Sequence, residues 1–268
     1  SFIDWEEKRH RFHVEKEWIR FSPGVVAGFH WLVQMLTRPG DAVIVQTPVY
    51  YPFLNAVKNN NRTLICSDLV NHQGRYTIDY EDFEKKIADN KVKLFILCSP
   101  HNPAGRVWER EELEKLIEIC KTHGVYIISD EIHQDLVFDG SRHIPSLDIG
   151  EYQDHMITLA APSKTFNLAA GQNSLVLIPD EKLRRVWDEY TTANRVISGN
   201  AFGYIAAQAA YEGGEEWLEQ VLAKIWDNYQ YVKRELAQKL PKAVVTPLEG
   251  TYLCWIDLGA YVLSLIHI

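Results

Sequence analysis

The sequence has 268 residues, of which 46% are hydrophobic and 24% charged, an ordinary balance for a globular protein with a sizeable core. Lysine and arginine total 28 against 36 aspartates and glutamates, so the formal net charge is −8. This acidic balance argues against nucleic acid or an anionic membrane surface as the main partner. The apolar runs are far shorter than the ~20 residues that a membrane-spanning helix needs.

Cysteine and histidine usage predicts no metal site and no disulfide framework. The histidines show neither HxxxH nor HExxH spacing, and the cysteines show neither CxxC pairing nor the spacing of zinc ligands. Reduced thiols in a cytoplasmic protein are therefore the expectation for the four cysteines, which are Cys66, Cys98, Cys120 and Cys254.

The predicted elements alternate between short β-branched strands and longer amphipathic helices. The chain opens in a predicted helix at 2–13. Further helices are predicted at 25–37, 51–59, 80–89, 110–123 and 181–193. Strands are predicted at 42–46, 62–67, 93–98, 125–129, 156–160 and 173–178. Apolar strands separated by helices predict βαβ units, hence a mostly parallel sheet that helices cover on both faces.

The second part of the chain has a different character. Residues 201–240 are almost entirely helical, with a predicted break at Gly213 and Gly214 and a stop at Pro241. A last short strand is predicted at 252–256. We therefore expect a large α/β domain over 1–197, followed by the start of a smaller α+β domain over 198–262.

The two ends lead us to expect a fragment truncated on both sides. The chain lacks an initiator methionine, and no signal-peptide pattern follows its first residues. Residues 263–268 (LSLIHI) resemble the translation of a sequencing adapter, so we expect a non-native tail there. The alternative is a genuine apolar strand.

Unusual residues follow two of the predicted strands, at the positions where open α/β sheets bind ligands. Residues 99–105 (SPHNPAG) form a rigid loop that can hold the Asn102 amide in place, although a simple tight turn is the alternative. Residues 129–133 (SDEIH) place Asp130 where a carboxylate could hold a proton on a cationic ring. The alternative there is a solvated turn or a helix cap. Glu131 is expected to be structural.

Two more segments could carry chemistry. Lys164 follows the strand at 156–160, and a lysine there is usually a surface residue. A desolvated lysine instead becomes a nucleophile towards carbonyl groups. Residues 22–26 (SPGVV) open the helix at 25–37, where free backbone N–H groups can bind phosphate.

Taken in this order, these segments resemble the fold-type I pyridoxal-phosphate (PLP) enzymes of the class I/II aminotransferase superfamily. The closer likeness is to the cystathionine β-lyase branch, and it covers essentially residues 1–262. It rests on 17–26 (EWIRFSPGVV), 48–53 (PVYYPF), 100–108 (PHNPAGRVW), 129–133 (SDEIH), 161–169 (APSKTFNLA), 209–218 (AAYEGGEEWL) and 249–253 (EGTYL). The resemblance implies the aspartate aminotransferase-like α/β fold, with PLP as cofactor, an amino acid as substrate and a homodimer with its active site at the subunit boundary.

The resemblance also implies a role for each matching residue. Lys164 would bind PLP covalently and then remove the substrate Cα proton. Asp130 would keep the pyridine nitrogen protonated. Asn102 would bind the phenolic oxygen of the ring, and Tyr50 would stack on its face. His133 occupies a position where many aminotransferases carry a tyrosine for the same oxygen.

Phosphate binding departs from the common pattern of the superfamily. The resemblance assigns the phosphate to the Val25 and Val26 amides and to the Ser163 hydroxyl. Many aminotransferases carry an arginine eight positions after the lysine, whereas this chain has Gln172. Two further elements of the family, an aromatic residue lent to the neighbouring subunit and an arginine for the substrate carboxylate, are not assigned in this chain.

Three functions remain open from the sequence. The first is a carbon–sulfur β-lyase that cleaves cystathionine or other cysteine S-conjugates to a thiol, pyruvate and ammonia. The second is an aminotransferase that uses the same cofactor chemistry. The third is a regulatory protein that keeps the fold and acts through a partner, because a fold alone does not fix a function.

Overall fold

The computed structural model describes residues 1–196 and 198–261, so the predicted tail at 263–268 lies outside the described residues. Among the described residues, no helix combines the length and apolarity that crossing a bilayer requires. The α-helices are α1 (Phe2–Trp5), α2 (Val25–Leu36), α3 (Tyr51–Asn59), α4 (Tyr80–Asn90), α5 (Arg110–His123), α6 (Pro162–Thr165), α7 (Glu181–Ala193), α8 (Ala201–Gly213) and α9 (Glu215–Lys239).

The strands form one large sheet and two small ones. They are β1 (Ile19–Ser22), β2 (Ala42–Thr47), β3 (Thr63–Asp68), β4 (Val70–His72), β5 (Arg75–Thr77), β6 (Leu94–Cys98), β7 (Tyr126–Asp130), β8 (Met156–Ala160), β9 (Ser174–Leu177), β10 (Val244–Val245) and β11 (Ile256–Asp257). The large sheet has the order β1-β9-β8-β7-β6-β2-β3. In this sheet the neighbouring strands β3, β2, β6, β7 and β8 pair in parallel, whereas β9 is antiparallel to both β8 and β1.

Helices cover both faces of the large sheet because successive strand residues point to opposite sides. In β6, Leu94 and Ile96 pack in a cluster with α2, α3 and α7. Their neighbours Phe95 and Leu97 pack on the other face with side chains of α4, α5, α8 and α9. The predicted α/β fold with a mostly parallel, helix-covered sheet is confirmed.

The strand register brings the ends of several strands to one edge of the sheet. Cys98 at the end of β6 lies opposite Asp130 at the end of β7, and Asp130 lies opposite Leu159 near the end of β8. Because β1 and β9 are antiparallel, the end of β1 and the start of β9 reach the same edge, where Ser22 pairs with Ser174. This edge carries the candidate site.

Most predicted elements are confirmed, and the exceptions have local reasons. The predicted helix at 2–13 ends earlier, since a π-helical turn over Glu6–His10 is followed by Arg11 in the left-handed conformation. The predicted strand at 252–256 is wrong, because the chain turns at Thr251, where φ is 68°, and pairs only over Ile256–Asp257. Strands β1, β4, β5 and β10 were not predicted from the sequence.

The α9 helix packs on the same core as the sheet. Its Leu218, Leu222 and Tyr229 belong to the apolar cluster that includes Phe95 of β6. The division into domains over 1–197 and 198–262 stays a prediction.

Candidate active site

A cavity of 390 Å³ lies at the edge of the sheet where the parallel strands end. It is lined by all the residues to which the sequence assigned a site role, namely Val25, Val26, Tyr50, Asn102, Asp130, His133, Ser163 and Lys164. These residues come from distant parts of the chain, and the strand register brings them together. Among the described residues, no three His, Cys, Asp or Glu side chains form a group able to hold a metal ion.

The loop after β6 is joined to the segment that carries Tyr50. The backbone N–H of Tyr50 donates to the Asn102 carbonyl at 3.0 Å. The buried His101 donates from Nε2 to the Pro48 carbonyl at 2.8 Å, and the Asn102 N–H donates to the Cys98 sulfur at 3.3 Å. The Asn102 amide and the Tyr50 ring are therefore held on one wall of the cavity by a shared set of hydrogen bonds.

Asp130 is a buried carboxylate at the end of β7. It is 4% exposed, and its Oδ1 accepts a hydrogen bond from the Ile132 N–H at 3.1 Å. Burial raises the pKa of Asp130 from its ordinary value of 3.8 to about 7, because the low-dielectric surroundings disfavour the charged form. A cation bound in the cavity next to this carboxyl would favour its ionised form.

His133 lies in the same cavity as a neutral, buried imidazole. Burial lowers the pKa of His133 to about 3, and its Nδ1 has no hydrogen-bond partner among the described residues. Its ring packs edge-on against Tyr252, with the ring centroids 5.4 Å apart. A ligand with a polar atom could satisfy the unpaired nitrogen.

Lys164 lies on the short helix α6, directly after β8. Pro162 occupies the first turn of this helix, where its missing N–H costs no hydrogen bond. The Lys164 side chain is half-buried, and its Nζ lies 5.7 Å from the centroid of the Tyr252 ring. The cavity thus has a primary amine and, in Asp130, a carboxyl group.

The N-terminus of α2 forms another part of the cavity wall. Among the described residues, no side chain caps the start of α2 after Gly24, and Gly24, Val25 and Val26 line the cavity, so the free N–H groups of the first turn are available to a ligand there. A Cβ built on Gly24 would have no atom within 4 Å, which leaves room for a ligand to approach the backbone. Gln172, in the left-handed conformation with φ of 45°, lines the same cavity. Together these groups suit an anionic ligand group.

Several other residues near the site had no role predicted from the sequence. Tyr252 contacts both His133 and Lys164, and the glycine turn before it was the available signal. Asn173 has a buried Oδ1 without a partner among the described residues. Glu131, expected to be structural, accepts hydrogen bonds from the Ser129 hydroxyl at 2.8 Å and from His143 Nε2 at 3.0 Å, and it does not line the cavity.

Comparison with known proteins agrees with this geometry. The chain is 44% identical over 261 residues to cystathionine beta-lyase PatB of Bacillus subtilis, which covers 97% of this chain and 67% of that protein. The PLP-bound C-S lyase of Staphylococcus hominis superposes with a TM-score of 0.93 at 39% identity, over 97% of this chain and 66% of that one. Cystalysin of Treponema denticola, a structure that contains PLP, superposes with a TM-score of 0.94 at 37% identity, over 97% and 66%.

The chain spans about two thirds of the length of these relatives. The superpositions confirm the aspartate aminotransferase-like fold predicted for the chain. The family model of aminotransferase class I and II matches residues 2–266, nearly the whole sequence. This chain therefore belongs to the aminotransferase class I and II family.

Proposed function

We propose that the protein is a PLP-dependent carbon–sulfur β-lyase that cleaves cystathionine or other cysteine S-conjugates to a thiol, pyruvate and ammonia. The observation that carries the proposal is that Lys164, Asp130 and Asn102 line one cavity with the N-terminus of α2. The names of the relatives favour the lyase over the aminotransferase, since the Bacillus protein is named a cystathionine beta-lyase and the Staphylococcus protein a C-S lyase.

The cavity fits PLP because it offers a group for each charge of the cofactor. The buried Asp130 carboxyl, with its pKa raised to about 7 by burial, suits a cationic ring nitrogen that would neutralise it. The uncapped N–H groups of Val25 and Val26 and the Ser163 hydroxyl suit a phosphate. Asn102 and the unpaired Nδ1 of His133 suit the phenolic oxygen of the ring, and Tyr50 suits its flat face.

When bound, PLP supplies an electron sink for negative charge that develops at the substrate Cα. Lys164 would hold the cofactor through its side-chain amine, and the same amine, when free, would accept the substrate Cα proton. The electron pair of the broken Cα–H bond forms the Cα–Cβ double bond and expels sulfur from Cβ as a thiolate. Water then converts the remaining three-carbon unit to pyruvate and ammonia. Asp130 would keep the ring nitrogen of the cofactor protonated, which favours the build-up of negative charge at Cα.

The full-length protein, loaded with PLP and mixed with L-cystathionine, tests the proposal. We expect pyruvate and free thiol in equal amounts, and a loss of both by at least about 10³-fold in Lys164→Ala, because the variant lacks the base at Cα. Lys182→Ala, on the exposed start of α7, is the matched control and should keep full activity. Transfer of the amino group to an oxo-acid without pyruvate or thiol would replace the lyase with an aminotransferase.

The proposal includes a homodimer. It is supported by the exposed apolar side chains of α8, where Phe202 is 85% and Ile205 66% exposed in the single chain. Such side chains are typical of surfaces that a second subunit covers. Sedimentation of the full-length protein at micromolar concentration should give the mass of two chains, and a mass of one chain would contradict this part of the proposal.

A cytoplasmic location also belongs to the proposal. It is supported by the cysteines, which form no disulfide in the part of the chain that the structure describes. A reducing compartment keeps such thiols free. Fractionation of the source cells should recover the protein with cytoplasmic markers.

A further inference from the structure

A buried polar cluster lies behind the candidate site and is not part of the cavity wall. Its centre is Asp135, which is 1% exposed and lies five residues after Asp130. Asp135 Oδ1 accepts hydrogen bonds from Trp5 Nε1 at 3.0 Å and from His10 Nε2 at 2.9 Å. Its Oδ2 accepts one from the hydroxyl of Thr165 at 2.8 Å. We call these four residues the Asp135 cluster.

The cluster joins three segments that are distant in sequence. Trp5 and His10 come from the first turns of the chain, Asp135 from the loop after β7, and Thr165 from α6. Thr165 directly follows Lys164 in this four-residue helix and is itself 1% exposed. The Asp135 carboxylate therefore links the helix that carries Lys164 to the loop that follows Asp130.

The cluster holds Asp135 as an ionised group. Burial alone would raise the pKa of Asp135, but the hydrogen bond from His10 and further donors and charges, including Thr165 and Arg9, lower it. The Arg9 Nε lies 3.3 Å from Oδ1. Burial lowers the pKa of His10, so its ring is neutral near pH 7 and donates as the Nε2–H tautomer. Glu6 also faces the cluster, and burial together with the nearby Asp135 charge raises the pKa of Glu6 well above its ordinary value.

Burying an ionised carboxylate is costly, and the donors around Asp135 offset that cost. In return, the carboxylate supplies a directional hydrogen bond that an apolar side chain cannot make. The hydrogen bond from Thr165 has a defined length and direction, and α6 is too short to be rigid by its own backbone hydrogen bonds. Reaction rates depend steeply on the position of the reacting group, and a displacement of about 1 Å can cost about 10²-fold.

We propose that Asp135 is a positioning residue, which fixes the Lys164 amine for its work at the substrate Cα through the Thr165 hydroxyl. The proposal rests on the proposed function, because it assigns Asp135 a role towards the lysine that would hold PLP. Asp135 itself touches neither cofactor nor substrate. Its effect passes through one hydrogen bond, which a substitution at Thr165 can remove without altering the carboxylate.

The test compares three variants of the full-length, PLP-loaded protein. Thr165→Val removes the hydroxyl and keeps the shape of the side chain, and Thr165→Ser keeps the hydroxyl. Trp5→Phe is the matched control, because it removes a hydrogen bond to the other oxygen of the same carboxylate. Each variant is measured for kcat and KM, for stability in urea, and for the pH midpoint of the visible absorbance that PLP shows when it is joined to lysine.

For Thr165→Val we expect kcat to fall by about 10- to 100-fold with KM within about twofold. The pH midpoint of the visible band should move by about half a unit or more, because the amine joined to PLP has changed its surroundings. Thr165→Ser should restore both values. Trp5→Phe should lose stability to a similar degree and keep both the wild-type kcat and the wild-type midpoint.

Two results would overturn the positioning role. One is a wild-type midpoint and kcat in Thr165→Val, and the other is an equal change of both in Trp5→Phe, which would make the cluster merely structural. A wild-type protein that shows no visible band with PLP would instead refute the proposed function, and this proposal with it. The band of the wild-type protein therefore distinguishes the two failures.

Discussion

Replacement of Asp130 by asparagine should stabilise the PLP-free protein while it destroys the proposed activity. The reason is that the Asp130 carboxyl is buried and, among the described residues, accepts a single hydrogen bond, from the Ile132 N–H. Without a cation in the cavity, the folded protein opposes ionisation of this group, and its pKa rises to about 7. An asparagine amide cannot ionise, so the Asp130→Asn variant is free of this penalty.

The size and sign of the effect follow from the shift in pKa. The unfolded chain releases the Asp130 proton near its ordinary pKa of 3.8, whereas the folded chain keeps it until about pH 7. Between these values the unfolded state binds fewer protons, so the stability of the wild-type protein falls as pH rises. Because one pKa unit corresponds to about 1.4 kcal/mol, the penalty reaches about 4 kcal/mol above pH 7.

Urea unfolding of the PLP-free proteins at about pH 5 and pH 8 measures the penalty. Over this interval the free energy of unfolding of Asp130→Asn should increase by about 3 kcal/mol relative to the wild-type protein, since most of the wild-type penalty develops there. The difference between two pH values cancels the constant cost of burying an amide. Asp227→Asn, an exposed change on α9, is the control and should show no such pH-dependent difference.

PLP should oppose the effect of the substitution. A cationic ring nitrogen beside Asp130 would convert the penalty into an attraction, so saturating PLP should stabilise the wild-type protein more than Asp130→Asn at about pH 8. If the stability difference between the two PLP-free proteins does not change with pH, Asp130 is not a strained buried carboxyl. The cavity would then have no special affinity for a cation at this position.

Two further substitutions test the packing that supports the site. Glu131→Gln removes the charge that accepts hydrogen bonds from Ser129 and His143 inside the protein, and it should lower the free energy of unfolding by about 2 kcal/mol. An unchanged urea midpoint would contradict the buried network. Gly203→Ala should cost about 1–3 kcal/mol, because its Cβ would lie 2.3 Å from the Gly171 carbonyl oxygen. Gly213→Ala has nothing within 4 Å of the added atom and serves as its control in the same thermal or urea unfolding assay.

The helices could be predicted well because their end signals are local. Helix α5 begins with a capping box between Glu109 and Glu112 and ends at Gly124, which adopts the left-handed conformation with φ of 64°. The predicted bounds at 110–123 are those observed. Strand β1 could not be predicted in this way, since its four residues have no strand signal of their own. They form a strand only because β9, some 150 residues later, offers an edge.

The site residues at the strand ends were predictable for a topological reason. Parallel strands end at a common edge, so Asn102, Asp130 and Lys164 meet whichever loops connect them. Tyr252 reaches the cavity differently. The N–H groups of Glu249 and Gly250 donate to the Gly105 carbonyl, which places the following turn beside the loop that carries Asn102. This approach depends on tertiary packing, so the glycine turn before Tyr252 was a signal in the sequence, whereas the contacts of its ring with His133 and Lys164 could not be predicted.

The segment at 129–135, at the end of β7 and directly after it, contributes residues both to the cavity and to the buried hydrogen bonds that support it. Asp130, Ile132 and His133 line the cavity. Glu131 and Asp135 instead accept buried hydrogen bonds from Ser129 and Thr165, on either side of the loop. The chemistry of the cavity-lining set can be inferred from residue type, because carboxyl, imidazole and amine groups have characteristic reactions. The supporting set has similar residue types, and only its contacts separate its members, because Asp135 alone bonds to Thr165 beside Lys164, the contact through which we propose that it acts.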